Sequence, residues 1–140
     1  PVFAKYEGSF RYINHVPQIE LHKYYSQGSV FAIMSIEEGL AMVQPQAMAC
    51  GLPVICTTNT GGEDIIREGI DGFIIPIRNV EVLKEKIVYL YENPDICKAM
   101  GESAKERVSK GFTWDDYGEK MVTEYKRIVA KSRRSFQSTQ

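Results

Sequence analysis

The 140 residues, 44% hydrophobic and 25% charged, have the composition of one soluble domain with a sizeable core. A formal net charge of -1 excludes a surface-wide field that would gather nucleic acid or an anionic membrane. The three cysteines, Cys50, Cys56 and Cys97, are odd in number and lack C-x-x-C spacing; this argues against a disulfide framework or zinc site and fits a reducing, cytoplasmic setting.

No apolar run approaches the roughly 20 residues of a membrane helix, and residues 1–5 do not have the pattern of a signal peptide. The chain starts without Met and enters a strand-like stretch at once, as expected of a piece of a longer protein. Residues 10–13 are read as a first strand. Residues 17–27 place Ile19, Leu21, Tyr24 and Tyr25 at helical spacing before Gly28, a C-terminal stop. Residues 30–34, 53–56 and 73–75 are short apolar runs without alternation, the pattern of parallel strands covered on both faces. Between the first two of these, a short helix over 45–50 begins at Pro45, since proline is tolerated in a first turn, and ends at Gly51.

Val80, Leu83, Ile87 and Leu90 then mark an amphipathic helix ending near Asn93, and a second runs from Pro94 to about Ser109. A third starts at Thr113. There Thr113 and Asp116 form a capping box, and Phe112 is placed to pack on Tyr117 as a staple. Trp114, Tyr117, Met121, Tyr125 and Ile128 form a stripe along this helix, a core or docking face by its spacing. Lys126, Arg127, Lys131, Arg133 and Arg134 suit the negative pole of its end. The domain is expected over 1–132, with a polar tail at 133–140 that frays at its end.

Strands alternating with helices predict an α/β fold, an open doubly wound parallel sheet of the Rossmann-like kind. Ligands of such sheets bind beyond the carboxyl ends of the strands. That rule selects the loop after the 30–34 strand and the loop after the 53–56 strand. In the second, Gly61 and Gly62 lead into an acidic helix start, and glycine at a helix amino end lets backbone amides approach a phosphate. In the first, Glu38 leaves the strand and Gln46 sits in the first turn of the next helix. A carboxylate beside a phosphate site suits a ligand that also carries hydroxyls, such as a nucleotide sugar. On chemistry alone, Glu37 and Glu38 read better as simply exposed turn residues. His15 and His22 lack a partner at suggestive spacing and read as structural or surface residues.

The stretch Glu38-Gly-Leu-Ala-Met-Val-Gln-Pro-Gln-Ala-Met-Ala-Cys-Gly-Leu-Pro-Val-Ile55 resembles the signature of the family 4 (group 1) retaining glycosyltransferases. Glycine turns at Gly61-Gly62 and Asp71-Gly72 follow it, and the similarity extends from about Val16 through the Thr113 helix. The resemblance implies the carboxy-terminal, nucleotide-sugar-binding domain of a two-domain GT-B enzyme that transfers a hexose with retention. It implies no cofactor and no obligatory metal, the nucleotide-diphosphate sugar being the donor substrate. Glu38 matches the first acid of the E-x7-E motif, which contacts the donor-sugar hydroxyls and aids the transition state, so the resemblance implies a catalytic role for it. The backbone of Gly39, Leu40, Ala41, Met42 and Val43 matches the segment that meets the diphosphate and sugar, and Gln46 matches the acid that holds the ribose.

Two departures stand out. Gln46 replaces a carboxylate, keeping hydrogen-bonding capacity while losing charge, and Ala41 stands where glycine is common. Glu63 matches no expected position and is assigned no role. The family also implies an amino-terminal domain carrying the acceptor site, so this half alone is expected to be inactive. Capsule, lipopolysaccharide or other cell-envelope glycan assembly, in the cytoplasm or at the inner face of the membrane with peripheral association, follows from the family's habits. The alternatives are a non-catalytic nucleotide-sugar-binding module and a receiver-type signalling domain. The second would need clustered acids at strand ends, which only Glu37-Glu38 and Glu63-Asp64 approach.

Overall fold

The computed structural model describes residues 4–137. Three parallel strands, β1 (Phe31–Ile33), β2 (Val54–Thr57) and β3 (Gly72–Ile75), form one sheet in that order. Phe31 stands opposite Val54, and Val54 opposite Gly72. Helix α2 (Val43–Ala49) connects β1 to β2, and the single turn α3 (Gly62–Ile65) connects β2 to β3. Helices α4 (Val80–Glu92), α5 (Pro94–Val108) and α6 (Trp114–Gln137) follow.

The continuous apolar run of β2 has the cause that parallel sheets impose: all four of its residues are buried, on alternating faces. Val54 and Cys56 pack with Ala47, Met48, Ile65, Ala104 and Val108 on one side. Ile55 packs with Phe73, Ile75, Leu90 and Met100 on the other. Strand β1 departs from the expectation of double coverage. Its Phe31 and Ile33 face the first cluster, but Ala32 between them is exposed.

Two expected elements take other forms. Residues 10–13 make no strand; the segment is irregular, with Tyr12 79% exposed and no strand paired to it among the described residues. The helix expected over 17–27 breaks into a 3-10 turn at Gln18–Glu20 and a single turn α1 (His22–Tyr25). The spacing is helical, but Ile19 is 82% exposed, so one of the apolar positions that define the pattern gains no burial. His22 is engaged locally, its Nδ1 lying 2.8 Å from the Ile19 carbonyl.

The later helices start as their caps dictate. Asn79 accepts from the Val82 amide at 3.1 Å to open α4, and Pro94 lies in the first turn of α5. At α6 the Thr113 hydroxyl accepts from the Asp116 amide at 3.1 Å while the Asp116 carboxylate accepts from the Thr113 amide at 2.9 Å. The Thr113 hydroxyl and amide, in that order, hold the Asp116 carboxyl below its usual range. Phe112 lies under the Arg107 guanidinium, 4.8 Å from ring centre, and Tyr117 meets Trp114 edge-on. The α6 helix continues to Gln137, into the segment expected to be a tail; residues 138–140 lie outside those described.

Ahead of β3, the buried Asp71 carboxylate takes a two-pronged bond from Arg67, both contacts 2.8 Å, and a third from Ser103 of α5. Burial pushes this carboxyl upward, but the hydrogen bonds from Arg67 and Ser103 outweigh it and leave it below the usual range. The cluster ties the β3 entrance to α5. On the same layer, α5 lies directly on the end of α2: a Cβ at Gly101 would stand 2.1 Å from the Gly51 carbonyl oxygen. No side chain fits there without separating the two helices. Gly101→Ala is therefore expected to destabilise the fold by about 2–3 kcal/mol, seen as a lower urea midpoint at unchanged slope.

Candidate functional site

Strands β1 and β2 both end at the same rim, and the loops that leave them are bound to each other. The Thr57 hydroxyl donates to the Ser35 carbonyl, joining the two exits at their base. Further out, the Glu38 amide donates to the Asn59 carbonyl at 2.8 Å and the Ala41 amide to the Thr60 carbonyl at 3.2 Å. The Gln44 side chain, from the first turn of α2, donates to that same Thr60 carbonyl at 2.7 Å. Thr60 closes its own turn by donating its hydroxyl to the Thr57 carbonyl at 2.6 Å. Gln44, Thr57 and Thr60 are all fully buried.

This arrangement sorts the backbone amides of the first loop into two sets. Those of Glu38 and Ala41 are bonded to the second loop. Those of Gly39, Leu40 and Met42 meet no acceptor among the described residues. Ala41 avoids the left-handed conformation that would strain it: Asn59 and Arg78 are the non-glycine residues with positive φ among those described. Leu40 and Met42 are exposed, and Val43 begins α2. The helix starts two residues before the expected Pro45, which still falls in the first turn, where its missing amide would have no intrahelical partner.

Glu38 lies exposed on the first loop, its carboxylate accepting from the Ser35 hydroxyl at 2.9 Å. Gln46 lies half-buried on α2, its Oε1 buried without a partner among the described residues. The two glycines of the second loop are held by packing. A Cβ on Gly61, whose φ is +70°, would stand 2.8 Å from the Gly39 carbonyl oxygen; one on Gly62 would stand 2.3 Å from Cys56 Sγ. Gly39 is different, since a Cβ there would meet nothing within 4 Å. Glu63 accepts from the Asn59 amide at 3.1 Å, a bond within its own turn. Burial pushes the Cys56 thiol up to about 11 against an opposing contribution from the neighbouring Thr60 hydroxyl, with Glu63 and Glu68 adding to the rise, which favours the protonated thiol at neutral pH.

Sequence reasoning missed Gln44, Thr57 and Thr60. One signal was available: Gln44 precedes Ala47 and Met48 by three and four residues, so a polar side chain occupies the face that helical spacing sends to the core.

The family profile described as "Glycosyl transferases group 1" matches residues 4–107. The chain belongs to this family. A curated relative, an uncharacterized glycosyltransferase of Methanocaldococcus jannaschii, is 36% identical over 96 residues, 69% of this chain and 27% of that protein. The solved sucrose-phosphate synthase of Thermosynechococcus elongatus superposes with a TM-score of 0.83 at 25% identity over 93% of this chain and 33% of its own. The HepE protein of Anabaena, solved in complex with UDP-glucose, shares the fold at a TM-score of 0.78 and 18% identity over 86% of this chain and 33% of its own. The fold is that of the GT-B glycosyltransferases, and the chain spans a third or less of each of these proteins.

In this glycosyltransferase domain the rim is thus built by hydrogen bonds between loops, with Gly61 as the point of closest approach. Gly61→Ala is expected to cost about 1–3 kcal/mol of stability, because it strains φ and pushes on the 39–40 backbone. Gly39→Ala should change stability by less than about 1 kcal/mol in either direction. Urea titration of the two variants side by side tests the distinction.

Proposed function

We propose that this chain is the donor-binding half of a retaining glycosyltransferase that takes a hexose from a nucleotide-diphosphate sugar and passes it to an acceptor. The observation that carries this reading is the set of amides at Gly39, Leu40 and Met42 left without acceptors among the described residues, beside a glycine whose bareness the fold itself does not require. Amides in such a loop suit the diphosphate, and Glu38 next to them suits the sugar hydroxyls. Gln46, half-buried on α2 with its Oε1 lacking a partner among the described residues, suits a ribose hydroxyl as donor once its side chain turns that oxygen outward. Ala41, with its amide already bonded, contributes position only, Val43 starts the helix behind it, and Gly61 and Gly62 shape the loop from below. The UDP-glucose complex of the Anabaena neighbour supports a nucleotide sugar as the ligand class.

Transfer needs a second domain to bring the acceptor and exclude water as the cleft shuts. In this reading the exposed stripe of α6, with Trp114 75% and Tyr125 61% exposed, packs against the amino-terminal domain of the same protein. This half alone is then inactive. No helix among the described residues is long and apolar enough to cross a membrane. The setting we propose is cell-envelope glycan assembly in the cytoplasm, with the full-length protein at most peripheral to the inner membrane face.

The test uses full-length protein and a panel of the five common nucleoside diphosphates. One of them is expected to raise the melting temperature, with stabilisation of about 2.7 kcal/mol at a hundredfold excess over Kd. A flat response across the panel discards the donor assignment. With the ligand in hand, Glu38→Gln should slow transfer about 10- to 100-fold, the loss of a charged hydrogen bond worth about 1.5–3 kcal/mol. Binding of the nucleoside diphosphate itself should stay within about twofold, because Glu38 faces the sugar. Gln46→Glu should tighten the nucleotide about fivefold, roughly the 1 kcal/mol separating charged from neutral hydrogen bonds. An affinity unchanged within about twofold would remove the ribose contact.

A further inference from the structure

The role of Gln44 is not explained by packing. Its side chain is fully buried on the face of α2 that it shares with Ala47 and Met48, where an apolar residue would avoid the penalty of burying an amide. One end of that amide makes a specific bond, Nε2 donating to the Thr60 carbonyl at 2.7 Å. The other end, Oε1, is buried without a partner among the described residues and faces Gly62, whose absent Cβ would stand 3.0 Å away. The Thr60 carbonyl also receives the Ala41 amide, so it gathers the first loop, the second loop and the first turn of α2 at one atom.

We propose that Gln44 is a positioning residue for the donor: by holding the Thr60 carbonyl it fixes the second loop against the first and so sets the direction in which the Gly39, Leu40 and Met42 amides point. This rests on the donor-binding reading above. Without the bond, the Thr60 carbonyl keeps only the longer contact from Ala41, and the second loop, to which the amide-bearing first loop is bonded, loses its anchor to α2. Binding of the diphosphate then weakens although no group that touches it has changed.

Two variants of the full-length protein test this, each compared with the parent in the nucleoside diphosphate panel. Gln44→Met fills the same space without a donor and should weaken the best-binding diphosphate about tenfold at every pH. Gln44→Glu should behave differently. Protonated, its carboxyl can still donate to the Thr60 carbonyl; ionised, it faces that oxygen with a charge, and burial moves the changeover above the usual carboxylate range. The ratio of its Kd to that of the parent should therefore rise from about twofold at about pH 5.5 to roughly tenfold or more at about pH 8. Taking the ratio removes titration of the diphosphate itself. A purely structural amide would lower melting temperature in both variants and leave Kd, measured well below melting, at the parent's value and without pH dependence; that result overturns the proposal. Parent protein that binds none of the panel overturns the donor-binding reading and this inference together, whereas a parent that binds and variants that match it overturn this inference alone.

Discussion

The carbonyl oxygen of Thr60 receives two hydrogen bonds, one from the Ala41 amide and one from the Gln44 side chain, and the rim of the sheet is organised around it. Loops leaving adjacent parallel strands have no ladder to hold them, so their relative position has to come from contacts outside the sheet. Here it comes from a short chain of buried hydroxyl and amide groups running from Ser35 through Thr57 and Thr60 to Gln44. A buried polar network stabilises only when its members are mostly satisfied, and this one leaves a single oxygen of Gln44 without a partner among the described residues.

The layers beneath supply the rigidity that such a rim requires. Strand β2 is buried on both faces, α5 sits on the Gly51 carbonyl at a distance that only glycine permits, and the Asp71 carboxylate ties the entrance of β3 to α5 through Arg67 and Ser103. These contacts lie at the amino-terminal side of the strands or within the layers. At the carboxyl-terminal side, where α/β sheets leave room for ligands, the loops are bonded to each other while the amides of Gly39, Leu40 and Met42 stay without acceptors among the described residues. Strand β1, with Ala32 exposed, and α6, with its aromatic stripe in solvent, are the surfaces that the described residues leave uncovered.

The charge at this rim is acidic: Glu37 and Glu38 lie on the first loop and Glu63 and Asp64 follow the second, while Gln46 offers an oxygen without a formal charge where the resemblance leads one to expect a further acid. In the proposed reading, a neutral group there lessens repulsion of a diphosphate while still accepting from a hydroxyl. In that reading the replacement lowers the strength of the contact and exchanges one of two acceptor oxygens for a donor.

The sequence by itself determined the fold class, the doubly covered central strand, the starts of α5 and α6 and, through the run from Glu38 to Ile55, the family. Each of these is written locally: in periodicity, in a cap three residues from its partner, or in contiguous motif positions. The tertiary structure alone decided that residues 10–13 form no strand, that the 17–27 segment breaks into turns, which amides of the first loop the second loop takes up, and that Gly61 and Gly62 are demanded by packing. It also brought Gln44 to Thr60, across sixteen positions of chain. A hydrogen bond over such a separation leaves no repeating pattern in the sequence, because its partners are chosen by where two loops meet and by nothing in their own neighbourhoods.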